Sequence, residues 1–106
     1  DDMREAPSLV LINSLLEAGC EVAVYDPIAM PEARRRLGDR VRYGRDVYDS
    51  ALDVDAIFHV TEWKAFRMPA WEVLHRSVKT PLLIDGRNVF DTDPVEAGFT
   101  LLQIGQ

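Results

Sequence analysis

The sequence predicts an α/β fold with a Rossmann-like, doubly wound and mostly parallel sheet, lacking its first strand in this chain. Three observations lead to this prediction. Short apolar runs alternate along the chain with stretches in which apolar residues recur at helical spacing. Proline stands near the start of the helical stretches and glycine near the end of some. Parallel strands joined through helices are connected by right-handed crossovers, which favours a doubly wound sheet.

The first predicted element is a helix. Leu9, Ile12 and Leu16 recur at helical spacing between Pro7, which suits a first helical turn, and Gly19, which ends the run. The later elements follow from the same signals. They are a strand at Glu21–Tyr25, a helix at 30–38, a strand at 41–44, a helix at 46–54, a strand at Ala56–Val60, a helix at 68–78, and strands at 81–86 and 99–104.

The length of 106 residues suits a single domain, 1–106. A doubly wound domain normally opens with a strand at the centre of its sheet. Here the first predicted element is a helix, so we expect the chain to be part of a larger protein, cut just after that strand. In the strand order 3-2-1-4-5, the strand at 41–44 then lies beside Glu21–Tyr25, and the strand at 81–86 lies beside Ala56–Val60.

Composition excludes several classes of function. The net charge of −6 argues against general nucleic-acid binding, and no apolar run approaches the roughly 20 residues of a membrane helix. Cys20 is the only cysteine, which excludes an internal disulfide and a thiolate zinc site and fits a reducing compartment. We expect Cys20 to be a buried thiol. His59 and His75 have no suitably spaced partner, so no metal site is expected. We expect Trp63, Phe66 and Trp71 to be packing residues.

Arginines are concentrated in one stretch. Residues 31–45 hold six arginines and two acids. We interpret this stretch as a solvated helix face followed by a loop. No Ser-His-Asp or paired-carboxylate arrangement can be assigned, so no catalytic residue is predicted.

Three polar positions are candidates for ligand binding, because ligands of open α/β sheets bind beyond the carboxyl ends of the strands. Arg4 lies just before a helix start, where backbone N–H groups favour anions; it either joins a phosphate site or pairs with neighbouring acids. Arg87 follows Gly86, which permits an unusual backbone angle or a close approach; it either binds phosphate or forms a salt bridge with Asp85 or Asp91. We interpret Asp26 as a turn and helix-capping residue.

Four motifs in order resemble one family. They are "DDMREAPS" at 1–8, "YDP" at 25–27, "TEWKAF" at 61–66 and "DGRNVFD" at 85–91, followed by a final strand "GFTLLQIG" at 98–105. In this order and spacing they are similar to the C-terminal, UDP-binding domain of the UDP-glucose 6-dehydrogenase (UDP-glucose/GDP-mannose dehydrogenase) family. The resemblance covers essentially the whole chain.

The resemblance implies a role in an NAD-dependent, four-electron oxidation of UDP-glucose to UDP-glucuronate. It implies that Arg87 contacts the UDP-sugar and that Arg4 reaches the NAD pyrophosphate. The implied partners are UDP-glucose, the N-terminal NAD-binding domain and the dimer helix of the parent enzyme, in the cytoplasm. The family's catalytic cysteine motif is absent, so this chain alone is expected to be inactive. Two alternatives remain: a related GDP-mannose or UDP-N-acetyl-sugar dehydrogenase, and a stand-alone nucleotide-binding or interaction module.

Overall fold

The computed structural model describes residues 7–60, 68–87, 90 and 92–104. Strands and helices alternate along the chain and all strand pairs are parallel, which confirms the predicted α/β class. The chain divides into two compact units, 1–50 and 51–106, which we describe separately. A single domain over 1–106 stays a prediction. Among the described residues, no helix has the length and apolar character needed to cross a membrane.

Between residues 7 and 50, the first unit contains three helices and a two-stranded sheet. The helices are α1 (Pro7–Glu17), α2 (Met30–Leu37) and α3 (Val47–Ser50), and a short 3-10 turn, Gly38–Arg40, follows α2. The strands β1 (Ala23–Val24) and β2 (Arg42–Tyr43) pair in parallel, as the predicted strand order requires. The core between these elements is apolar. Its buried members are Ile12, Ala33, Leu37 and Val41.

Helix α1 ends as predicted at Gly19, and the hydrogen bonds explain how. Gly19 has φ +89°, a left-handed conformation that glycine adopts without a Cβ penalty. Its N–H donates to the Leu16 carbonyl, and the Cys20 N–H donates to the Leu15 carbonyl, each at 3.0 Å. This pair of bonds is a Schellman motif, which satisfies the last carbonyls of the helix.

This helix ending corrects the prediction for Cys20. The thiol is exposed, not buried. Cys20 lies one residue beyond the left-handed glycine, where the chain leaves the helix and continues to β1. The turn after the helix therefore sets the position of Cys20, and its side chain is not part of the core.

Asp26 forms the predicted turn, but the predicted helix cap is wrong, because the N-cap residue of α2 is Ala29 and no side chain caps that helix. One carboxylate oxygen, Oδ1, accepts the N–H groups of Ile28 and Ala29, each at 3.0 Å. Asp26 therefore orders the turn that leads into α2, where Pro31 occupies the first turn. The predicted helix at 46–54 is shorter than expected. It ends at Ser50, and Asp53 has φ +59°, which an α-helix cannot contain.

All six arginines between 31 and 45 are exposed, and each contacts a group of the first unit. Arg34 lies over the Tyr43 ring at 4.3 Å from its centroid, and Arg35 and Arg36 pair with Glu32. The others follow the same pattern: Arg40 donates to Asn13, Arg42 donates to the carbonyls of Asp49 and Ser50, and Arg45 pairs with Asp49. The interpretation as a solvated face and loop is confirmed.

The described residues of the second unit form a three-stranded parallel sheet and one helix. The strands are β3 (Ile57–His59), β4 (Leu82–Asp85) and β5 (Thr100–Gln103), with β4 in the centre, and α4 (Trp71–Ser77) precedes β4. The pairing of β3 with β4 is the one predicted. Trp71 packs edge-on against Phe99 and Phe90, with centroids 5.6 Å and 5.0 Å away, so its expected packing role is confirmed. Trp63 and Phe66 lie outside the described residues.

Candidate functional site

The carboxyl end of β4 carries the candidate site. Burial alternates along the strand, so Leu83 and Asp85 are both 1% exposed, whereas Leu82 and Ile84 are half-buried. Strand β4 is apolar up to Asp85 because it is flanked on both sides, by β3 and by β5. The segment Asp85-Gly86-Arg87 then leaves the sheet at the edge where parallel α/β sheets bind ligands.

Asp85 is a buried carboxylate with two hydrogen-bond donors on one oxygen. Its Oδ1 accepts from the Nδ1 of His59 at 2.9 Å and from the backbone N–H of Arg87 at 2.9 Å. A buried carboxylate is costly unless it is paired and hydrogen-bonded, and these donors offset that cost. The second bond fixes the backbone of Arg87, two residues after the strand ends.

His59 is the residue that β3 places opposite Asp85. The parallel register pairs the two residues directly. This contact favours the tautomer with the imidazole proton on Nδ1, because an ionised carboxylate only accepts hydrogen bonds. His59 is 9% exposed, and its ring packs against Phe90 with centroids 4.6 Å apart. The histidine therefore contacts residues on both sides of Arg87.

Two reasons were expected for Gly86, an unusual backbone angle or a close approach, and the structure excludes a left-handed angle. This glycine does not have a left-handed φ, unlike Gly19, Gly38 and Gly98. A Cβ added to it would lie 3.7 Å from the His59 carbonyl oxygen and 3.8 Å from Cγ1 of Ile104, which are ordinary contacts. Among the described residues, an alanine side chain therefore fits at this position, and the close approach of a ligand stays a prediction.

Arg87 itself is exposed at the tip of this turn. The contact that joins Asp85 to Arg87 runs to the backbone N–H of Arg87. The backbone of the arginine is thus anchored by a buried group, while its side chain reaches solvent. A planar guanidinium held in this way can donate two parallel hydrogen bonds to a phosphate.

A cleft of about 320 Å³ opens at the same end of the sheet. It is bounded by the last residues of β4 and β5 and by the segment between these strands. Its lining residues are Asp85, Phe90, Thr92, Asp93, Pro94, Leu101 and Gln103. This volume is at the lower end of the range for small-molecule sites, which is about 300–1,000 Å³. The cleft is largely open to solvent, so its volume does not limit the size of a ligand.

The other sequence-predicted residues lie elsewhere or outside the described chain. Arg4 and Asp91 lie outside the described residues, as does the whole "TEWKAF" motif. Asp26 orders a turn in the first unit, and His75 is exposed on α4, where its ring centroid lies 5.6 Å from that of Phe99. In the described part of the chain, no three His, Cys, Asp or Glu side chains form a group that could hold a metal ion.

One residue of the candidate site was missed by sequence reasoning. His59 was assigned only the absence of a metal role, because a histidine on an apolar strand has no sequence signal for a partner. The predicted pairing of the two strands could have revealed this role. His59 lies near the end of one buried strand and Asp85 at the end of the next, and the two residues meet when these strands pair in parallel.

Comparisons with known proteins identify the family of this chain. Residues 1–92 match the profile of the family described as "UDP-glucose/GDP-mannose dehydrogenase family, UDP binding domain". UDP-glucose 6-dehydrogenases of Pseudomonas aeruginosa and Rhizobium meliloti are 40% and 38% identical over 112 and 107 residues, which include 100% of this chain. TuaD of Bacillus subtilis, also a UDP-glucose 6-dehydrogenase, is 38% identical over 107 residues and 100% of the chain.

The chain spans about a quarter of the length of these relatives, from 23% to 25%. Among solved structures, a UDP-D-ManNAc dehydrogenase from Pyrococcus horikoshii superposes with a TM-score of 0.54 over 92% of this chain and 29% of its own. At 19% identity this likeness supports the fold alone. The family match covers most of the chain, and the chain therefore belongs to the UDP-glucose/GDP-mannose dehydrogenase family, as its UDP-binding domain.

Proposed function

We propose that this chain is the UDP-binding part of an NAD-dependent UDP-glucose 6-dehydrogenase, and that Arg87 contacts the phosphates of UDP-glucose. One observation carries the proposal: the Arg87 backbone is hydrogen-bonded to the buried Asp85 at the carboxyl end of the central strand, while its side chain is exposed. The names of the relatives support the choice of UDP-glucose.

The overall reaction converts the C6 alcohol of the sugar to a carboxylate, consumes one water and reduces two NAD. NAD accepts the two hydrides when bound, and this chain supplies no group that takes part in those transfers. We propose that the catalytic residues belong to an N-terminal NAD-binding domain and that a dimer helix joins that domain to the UDP-binding domain. Arg4 would then contact the NAD pyrophosphate. The enzyme would act in the cytoplasm, in the synthesis of a polysaccharide precursor.

The residues of this chain would bind and orient the substrate. The Arg87 guanidinium would neutralise part of the diphosphate charge and fix the direction of the two phosphates. The lack of a side chain at Gly86 would let a phosphate oxygen approach the backbone of the turn. Holding the diphosphate at a fixed point orients the attached sugar toward the reacting groups, which is the contribution of a binding domain to rate.

The experiment is a calorimetric titration of the 106-residue chain with UDP and, separately, with GDP. Three variants are titrated beside the unchanged chain: Arg87→Gln, Arg87→Lys and Arg76→Gln. Arg76 is the matched control, because it is exposed in the last turn of α4 and that turn precedes the amino end of β4, opposite the Arg87 turn. Arg76→Gln therefore changes the net charge equally without altering the site.

We expect UDP to bind the unchanged chain and the Arg76→Gln variant with the same affinity. A charge-assisted hydrogen bond contributes about 1.5–3 kcal/mol, so Arg87→Gln is expected to weaken UDP binding about tenfold to a hundredfold. Arg87→Lys keeps the charge but loses the planar fork, and should bind with intermediate affinity. Equal UDP affinity for the unchanged chain and Arg87→Gln would assign Arg87 to a salt bridge and refute its proposed role.

The same titration separates the main alternative within the family. The family description includes GDP-mannose dehydrogenases. A chain that prefers GDP to UDP would be the corresponding part of such an enzyme. If the chain binds neither UDP nor GDP, the proposal that this chain recognises a nucleotide on its own is wrong.

A further inference from the structure

His59 contacts the segment around Arg87 in three ways. Its backbone carbonyl accepts the N–H of Gly86 at 2.9 Å, which continues the β3–β4 ladder one residue past the strand. Its Nδ1 donates to Oδ1 of Asp85 at 2.9 Å, and its ring packs on Phe90 at 4.6 Å. One side chain on β3 is therefore joined to the residues before and after Arg87.

We propose that His59 is a positioning residue for the phosphate site at Arg87, acting through Asp85. This inference rests on the proposed function, because it assumes that the Arg87 turn binds UDP. The Oδ1 atom that His59 contacts is the same atom that accepts the Arg87 N–H. The orientation of the Asp85 carboxylate, and with it the backbone position of Arg87, is set from the neighbouring strand.

The chemistry explains why this position requires a donor. Asp85 is 1% exposed, so water has little access to its carboxylate. A leucine at 59 would remove the donor and leave the carboxylate to rotate or to draw in water, and either change would displace the Arg87 N–H. A purely structural role for His59 would instead depend on its volume and on the ring contact with Phe90, and any side chain that packs well would then serve.

The experiment compares three variants of His59 in the 106-residue chain. His59→Asn places an amide N–H close to the position of Nδ1, His59→Gln extends its amide further, toward the position of Nε2, and His59→Leu has no donor. Leu74→Val is the control for general loss of stability, because Leu74 is 4% exposed in the core of the same unit and lies on α4, away from the turn. Arg87→Gln reports whether the turn binds UDP at all.

Each variant is titrated with UDP at a temperature where circular dichroism shows the folded chain. We expect His59→Asn to bind UDP within about threefold of the unchanged chain. We expect His59→Leu and His59→Gln to bind about tenfold more weakly, which corresponds to about 1.4 kcal/mol. Leu74→Val should bind as the unchanged chain does, although its melting temperature is lower.

The outcomes separate the two claims. If Arg87→Gln binds UDP normally, the proposed function of Arg87 fails, whatever His59 does. If Arg87→Gln binds weakly while His59→Leu binds normally, the positioning role is refuted and the UDP site stands. Equal weakening by Leu74→Val and His59→Leu would also refute it, since stability alone would then explain the loss. Where His59→Leu does not fold, His59→Asn and His59→Gln decide, and equal affinities for the two would overturn the proposal.

Discussion

Replacing Gly86 by alanine separates the needs of the fold from the needs of the ligand. In the structure, the new Cβ would lie 3.7 Å from the nearest atom, the His59 carbonyl oxygen. Gly44 provides the opposite case and the control. A Cβ there would lie 2.4 Å from the Cβ of Ser50 and 2.9 Å from its backbone, so the chain would have to move.

The expected magnitudes follow from these distances. At a position that alanine can adopt, Gly→Ala stabilises a protein by about 0.4–1 kcal/mol through the unfolded state. For a domain of this size that is a rise in melting temperature of about 2–4 °C. Gly44→Ala should destabilise by about 1–3 kcal/mol, the usual cost of forcing a group into filled space. For UDP the order reverses: a methyl group beside Arg87 should weaken binding about tenfold with Gly86→Ala and leave it unchanged with Gly44→Ala.

Thermal and urea unfolding followed by circular dichroism give the stabilities, and calorimetric titration with UDP gives the affinities. The distinctive result is a Gly86→Ala chain that is at least as stable as the original but binds UDP more weakly. If Gly86→Ala instead loses 2 kcal/mol or more of stability (about the cost of a serious clash), the conclusion that an alanine side chain fits at this position is wrong. If it keeps both stability and UDP affinity, no phosphate approaches the turn at this residue.

Three further predictions concern other parts of the chain. Asp26→Ala should lower the free energy of unfolding by about 0.5–2 kcal/mol in urea titrations, because two N–H groups lose their acceptor, whereas Asp39→Ala, with the same charge change on an exposed residue, should not. The Arg45 N–H, followed by smaller side-chain and charge effects, lowers the pKa of Asp49. The stabilising effect of the ionised Asp49 carboxylate is therefore complete above its unfolded-state pKa and disappears as the pH falls through the lower folded-state pKa. Asp49→Asn should reduce the loss of stability on acidification, and an unchanged pH profile would contradict this. The chain mixed with UDP-glucose and NAD should produce no NADH, and measurable absorbance of NADH would show a catalytic group that we have not assigned.

Much of the local structure was predictable because it depends on residues close in sequence. The end of α1 at Gly19 and the turn at Asp26 each involve hydrogen bonds across two to five residues, and both were predicted. The pairings of β1 with β2 and of β3 with β4 followed from the general rules of doubly wound sheets, whereas the pairing of β5 with β4 was not predicted. The solvent-exposed arginines followed from their charge.

The errors and omissions share a physical cause. The exposure of Cys20 depends on where the chain turns after the helix, and residue type alone does not show this. The function of His59 depends on the register between two strands that are 26 residues apart along the chain. The space around Gly86 likewise depends on the neighbouring strands, and of the two reasons expected for this glycine the structure excludes the left-handed backbone angle but does not test the close approach of a ligand.

The most direct test of the central claim is a titration of the isotope-labelled chain with UDP, followed by backbone amide chemical shifts in NMR. The Arg87 amide is a specific reporter, because its proton is donated to the Asp85 carboxylate at the base of the proposed phosphate site. We predict that the largest shift changes fall on Asp85, Gly86 and Arg87, and that they saturate with one affinity. Changes confined to residues 7–50, or no saturable change at these three amides, would contradict UDP recognition by the Arg87 turn.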